Sequence, residues 1–334
     1  MTLSLRPLLA LAPLLALAPL LPSCSESPAA AKTPDAGEST DGDARKSPPI
    51  DPTLFDCTSL AKPPLPRRAT ATPECLRDPA CKGRFVVGHR GAGGDLGRIA
   101  PEDTLAAYRA AIAIGADIVE TDPRPTADGV IVNVHDTTVD RTTDGTGEVA
   151  AMTFDQIRKL HIRNDDARFA GDYSCEKVPT LEEVLVTSRG RALVLVDANK
   201  TDRVDAMVEA IKKADALEWA VFDTDDTSKI DRALAIEPRL MIQPRAETAE
   251  EIAPLLAKYA SHLPVFVEIS MKIFPRGAAE VHAAGSRVLT NAFVADVGVI
   301  TGDDRKVYLG FFDSGADALQ TELPDELLKT LGRL

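Results

Sequence analysis

His89 and Arg90 stand together in "FVVGHRGAGG", directly after a run of small apolar residues, and Glu120 and Asp122 stand two apart in "ADIVETD". His135 lies near the end of "GVIVNVHD", and Asp197 follows the apolar run of "RALVLVD". These residue types do acid, base and metal chemistry. A histidine exchanges a proton near neutral pH, and two can supply an acid and a base. Side chains two apart on a strand face the same way, so Glu120 and Asp122 point together. Two convergent carboxylates repel unless one takes up a proton or a hard cation lies between them. One divalent cation, Ca2+ or Mg2+, is the expected cofactor, with Asp197 as a third ligand. Each residue alone has a plainer use. Glu120 and Asp122 could pair with Arg124, Asp197 could cap a helix near Arg203, and a lone histidine is more often a hydrogen-bonded packing residue. Three acids and two histidines at neighbouring strand ends favour a shared ligand, because unpaired polar groups there are costly. His161, His262 and His282 have no partner in the pattern and read as structural.

Such residues need a scaffold that brings distant strand ends together, and the chain alternates accordingly. Strands are expected at "RFVVG", "ADIVETD", "GVIVNVHD", "RALVLVDAN", "WAVFD", "RLMIQ", "PVFVEIS" and "SRVLTN". Helices are expected between them, for instance "PEDTLAAYRAAIAIG", with acids in its first turn and Gly115 as its stop. Eight strands over about 250 residues predict a (β/α)8 TIM barrel, whose chemistry sits at the C-terminal strand ends. On that reading His89 and His135 end strands one and three and face each other across the mouth. A doubly wound sheet is the alternative, but its G-x-G-x-x-G fingerprint after the first strand is absent.

The formal net charge of −13 excludes nucleic acid as a main partner. Residues 1–24, an apolar Leu/Ala/Pro run ending in "LPSC", read as an export signal with a lipobox-like Cys24. Residues 25–55 are polar and read as a disordered tether. The expectation is an exported protein, lipid-anchored to a bacterial outer membrane or else periplasmic or secreted, with no other membrane contact. Cys57, Cys75, Cys81 and Cys175 then suit two disulfides that pin a pre-barrel segment, 56–83, to the barrel at 84–334. Nearness in sequence favours Cys75–Cys81, leaving Cys57–Cys175. No oligomeric state is assigned.

Taken together, "GHRG", "PEDTLAAYRAAIAIGADIVETD", "ADGVIVNVHDTTVDRTTDGTG", "VPTLEEVL" and "GADALQTELPDELL" resemble the glycerophosphodiester phosphodiesterase family, over about Phe85 to Leu331. The resemblance implies a barrel that cleaves a small-molecule glycerophosphodiester to an alcohol and glycerol 3-phosphate. It gives His89 and His135 the acid and base roles, Arg90 the phosphate, and Glu120 and Asp122 the metal. Glu102 falls in the family's Pro-Glu-Asn motif, whose Asn is Asp103 here. The family's Glu-x-Lys on the next strand reads Asp197 and Asn199, which removes a cation; Lys200 is one residue late and is expected to face away. The family's aromatic position near the last strand reads Asn291. Glu268 and Lys272 are candidates for the contacts so lost. Two rival readings are a related phospholipase acting on a lipid phosphodiester and a non-catalytic phosphodiester-binding protein. A lipid substrate calls for an apolar rim, and aromatic residues make up only 4% of the chain.

Overall fold

A computed structural model describes residues 50–334, apart from 63, 165 and 166. The stretch read as an export signal, Cys24 and most of the expected tether lie outside the described residues. Ten strands occur in chain order: β1 (Phe85–Gly88), β2 (Ile118–Thr121), β3 (Pro123–Pro125), β4 (Ile131–Asn133), β5 (Leu193–Asp197), β6 (Ala220–Thr224), β7 (Met241–Ala246), β8 (Phe266–Ile269), β9 (Arg287–Asn291) and β10 (Ala318–Thr321). Eight of them close a barrel in the order β1-β10-β9-β8-β7-β6-β5-β2, all in parallel pairs. Helices between successive strands pack on its outside, as a TIM barrel requires.

One of the expected barrel strands is not in the barrel. β4, from "GVIVNVHD", pairs antiparallel with β3, Pro123 opposite Asn133. Only residues 122–130 separate it from β2. A parallel crossover needs a dozen or more residues, so so short a link makes a hairpin. The eighth strand is instead β10, "ALQT", whose Ala and Gln have weak strand preference. His135 therefore follows a hairpin excursion from β2, and Asp197 ends the third strand of the barrel rather than the fourth.

Alternation along each strand divides the residues between two surroundings. Val87, Ile118, Leu195, Val221, Met241, Phe266, Leu289 and Ala318 share one buried cluster inside the barrel. Their neighbours, such as Val86, Val196, Phe222 and Val288, pack outward against the helices. The helix Leu105–Ile114 buries five alanines on this outer side and stops at Gly115, which has φ 94°. Counting by twos from the interior residues leads up to a polar layer: His89, Glu120, Asp197, Asp223, Gln243, Arg245, Glu268, Asn291, Gln320 and Glu322. Lower down, Ala71 and Leu76 join the interior cluster and close the N-terminal end. Arg287 holds this plug by donating to the carbonyls of Cys75, Leu76, Asp78 and Cys81.

Disulfides join Cys57 to Cys175 and Cys75 to Cys81. Residues 50–55, read from composition as the end of the tether, are folded. Pro52–Leu54 makes a 3-10 turn capped by Asp51, and Phe55 is buried. Arg109 donates to the Phe55 carbonyl at 2.8 Å.

Candidate active site

The polar layer gathers at the C-terminal mouth. After β1 the chain turns so tightly that a side chain on Gly88 would lie 1.9 Å from the Gly91 carbonyl oxygen. Arg90 and Asp103 take positive φ, 49° and 54°, where non-glycine residues are strained. The two are joined, Asp103 N–H donating to the Arg90 carbonyl at 3.1 Å. Thr104 then caps the helix Leu105–Ile114 by accepting from the Ala107 N–H. The "PEDT" stretch is thus a helix start bent so that Glu102 and Asp103 face the β1 loop.

Glu120, Asp122 and Asp197 bring one carboxylate oxygen each within 4.8 Å of one another, and all three are buried. Arg90 donates its backbone N–H to Glu120 at 2.9 Å, and its Nε lies 3.4 Å from Asp122 Oδ2. Burial first, then the charges of Asp122 and Asp197, raises the Glu120 pKa well above the usual carboxylate range. Asp122 Oδ2 is buried and has no hydrogen bond among the described residues. Three hard oxygen donors, one of them with its ionised form disfavoured by burial and neighbouring like charge, fit a divalent cation.

The two histidines are built alike. His89 turns Nδ1 to Glu322, and its Nε2 lies 3.8 Å from Glu120 Oε2. His135 turns Nδ1 to Asp136 at 2.9 Å, and its Nε2 lies 3.4 Å from Lys200 Nζ. In each ring a carboxylate accepts from Nδ1–H and leaves Nε2 as the nitrogen able to take a proton. Gly94 belongs to this arrangement, since a Cβ there would come 3.0 Å from Glu322 Oε1 and 3.1 Å from His89 Nδ1.

Arg141 ties the two halves of the mouth. It donates to Glu102 at 2.6 and 2.8 Å and to Asp136 at 2.7 Å, and Glu102 also accepts from Arg90 at 2.9 Å. Burial opposes ionisation of Glu102, but the bonds and charges of Arg141 and Arg90 outweigh it and hold its pKa below the ordinary value. The hydrogen bond from Arg141 brings Asp136 down to about 2. Asp103, at the family's Asn position, is pushed the other way, well up, by burial and then by Asp122 and Glu102; it accepts from Tyr108 Oη at 2.9 Å.

Asn199 and Lys272 do not reach the centre of the mouth. Asn199 faces away from the phosphate position inferred for it, accepting from Thr224 Oγ1 at 2.7 Å and from the Asp225 N–H at 3.1 Å. Lys200 takes the place instead, with Nζ 3.7 Å from Asp122 Oδ1 as well as near His135. Strand alternation stops at Asp197, which caps a 3-10 turn over Ala198–Lys200, so counting by twos fails there. Buried Lys229 holds that turn through the Ala198 carbonyl at 3.0 Å. Lys272 is largely exposed and pairs with Glu247 at 3.5 Å. Asn291 stays in the mouth but donates to Glu268 at 2.9 Å. The aromatic beside it is Phe293, whose ring centroid lies 4.8 Å from that of His89. Glu322, Arg141, Arg245 and Phe293 went unread in the sequence. With β10 assigned, counting by twos from Ala318 reaches Glu322.

The profile of the Glycerophosphoryl diester phosphodiesterase family matches residues 89–290, from the first site histidine to the end of the seventh barrel strand. The chain belongs to this family. Glycerophosphodiester phosphodiesterase 1 of Bos taurus is 44% identical over 132 residues, which are 40% of this chain and 36% of that protein. The chain thus spans little more than a third of the length of the curated relatives it matches. Among solved structures, a glycerophosphodiester phosphodiesterase from Agrobacterium tumefaciens is 27% identical with a TM-score of 0.59, covering 73% of this chain and 98% of that one. A phosphodiesterase from Oleispira antarctica, solved with its product sn-glycerol-3-phosphate, is 23% identical with a TM-score of 0.59, covering 74% and 96%. The latter likeness speaks for the fold.

Proposed function

We propose that the protein hydrolyses glycerophosphodiesters to an alcohol and glycerol 3-phosphate, using His89 and His135 as acid and base around a cation held by Glu120, Asp122 and Asp197. The observation that carries this reading is the matched pair of rings. Both anchor Nδ1 on a carboxylate and turn Nε2 toward groups at the triad. One Nε2 takes the proton of the attacking hydroxyl, and the other gives a proton to the departing alcohol. A Ca2+ or Mg2+ ion at the triad would offset the negative charge that builds on the phosphate oxygens. Arg90 and Lys200 add fixed positive charge next to Asp122. The family and the product bound by the Oleispira antarctica enzyme favour glycerol 3-phosphate as the released half. The test is a panel of glycerophosphodiesters with and without chelator; no release of glycerol 3-phosphate from any member by metal-loaded protein would reject it.

A lipid phosphodiester is the second reading, and one feature favours it. The helix Phe293–Thr301 starts at the ring beside His89 and exposes Val294, Val297 and Ile300. The apolar rim that composition did not reveal is made of valine and isoleucine rather than aromatics. Faster cleavage of acylated than of deacylated substrates would support it. Two disulfides suit an oxidising compartment and support the exported location. A mature N-terminus other than a lipidated Cys24 would remove the anchor from that proposal.

A further inference from the structure

We propose that Arg245 is a second phosphate-binding arginine, standing across the carboxylate triad from Arg90. The inference rests on the mouth being a phosphodiester site and adds a residue from a strand outside the acid–base pair.

Arg245 points inward from β7 by the alternation that begins at Met241. One edge of its guanidinium is held. Nε donates to Asp223 Oδ1 at 2.9 Å and lies 3.2 Å from Glu268 Oε2. Nη2 pairs with Asp223 and lies 3.2 Å from Asp197 Oδ2. The acids are themselves fixed, for Gln243 Nε2 lies 3.3 Å from each and Asn291 donates to Glu268. Nη1 makes no hydrogen bond among the described residues. The side chain keeps 21% of its surface exposed, against 0% for Asp223. A planar guanidinium clamped along one edge presents the other in a fixed direction, the geometry that anion recognition uses.

The triad fixes what that edge can reach. Arg245 lies beside Asp197, Arg90 and Lys200 beside Asp122, and the triad oxygens are within 4.8 Å of one another. Each arginine is thus one carboxylate away from the same point. A phosphodiester has two non-bridging oxygens, and the arrangement offers a guanidinium to either side of it.

The alternative is that Arg245 only neutralises Asp223 and Glu268. The paired substitution Arg245→Met with Asp223→Asn removes one charge of each sign and keeps the net charge. Calorimetric titration would measure inorganic phosphate and glycerol 3-phosphate binding to Mg2+-loaded wild type and variant, with the metal titration and melting temperature alongside. The expected loss of phosphate affinity is about tenfold to a hundredfold, the size of a charge-assisted contact, with metal binding retained. Arg245→Lys, which keeps the charge but not the fork, should lose affinity too and covers the case in which the pair fails to fold. Wild-type phosphate affinity in a folded variant of either kind would overturn the inference. Turnover is read apart from this. A wild type that binds phosphate through Arg245 but cleaves no glycerophosphodiester would sink the proposed activity and leave this inference standing; normal turnover with phosphate affinity independent of Arg245 would do the reverse.

Discussion

Two arginines mark the two ends of the barrel. Arg287 lies at the N-terminal end, and its Nε, Nη1 and Nη2 all donate to carbonyls of the 75–81 loop. Arg245 lies at the mouth, held by acids along one edge, with Nη1 making no hydrogen bond among the described residues. The contrast extends to the neighbours. Of the nine buried side-chain atoms without a hydrogen bond among the described residues, six belong to mouth residues: Arg90, Asp103, Asp122, Gln243, Asn291 and Gln320. None belongs to the plug. Native proteins rarely leave buried polar atoms unpaired unless a ligand or ion completes them. The same eight strands therefore carry one end whose polar atoms are paired and another end where several are not.

This contrast can be broken in several ways. The largest effect belongs to the triad. Glu120→Ala should lower kcat/KM by on the order of a thousandfold and abolish metal binding in a calorimetric titration, since the charge offset goes with the ion. Glu322→Gln leaves His89 in place but removes the carboxylate that fixes its tautomer. A fall of roughly tenfold to a hundredfold in kcat, with the melting temperature within a few degrees of wild type, is expected. At the other end the effects should reverse. Leu76→Ala should cost about 2–5 kcal/mol in denaturant unfolding, because it opens a cavity in the plug, and leave kcat unchanged.

The smallest effect concerns pH. Burial raises Asp223 to about 7 despite the opposing charge of Arg245, and burial also raises Glu120 and Asp103. An acid whose folded pKa is raised stabilises the protein fully only below its unfolded value, and that stability is lost as pH rises through the folded pKa. Metal-free protein should therefore melt higher near pH 6 than near pH 8. Asp136, drawn down to about 2 by Arg141, acts oppositely: its contribution is fully present above the usual aspartate range and is lost as pH falls through about 2. The melting curve should thus turn down again under strong acid. A stability that rises steadily from pH 6 to pH 8 without metal would mean that the mouth does not carry the excess of buried acid described here.

The barrel and the centre of its site were legible in the sequence because both rest on local regularities. Apolar strands alternating with capped helices specify the barrel, and period-two spacing puts Glu120 and Asp122 on one face. Errors arose where local regularity stops. β4 looks like a strand and is one, but its closeness to β2 turns it into a hairpin. β10 is too poor in β-branched residues to stand out, and with it Glu322 was missed. Strand parity points Lys200 away from the site, but the turn that begins at Asp197 breaks that parity. Arg245 gave no signal of its own; its surroundings come from β5, β6, β8 and β9, and only closure of the barrel assembles them.

The central claim is that two carboxylate-anchored histidines move protons at a metal-bound phosphodiester. The most direct measurement is release of glycerol 3-phosphate from glycerophosphodiesters by the His89→Ala, His135→Ala double variant, beside the wild type, with metal binding and melting temperature checked on both. The account predicts a variant that folds, holds its metal and has lost nearly all turnover. Wild-type rates in the metal-loaded double variant would contradict it.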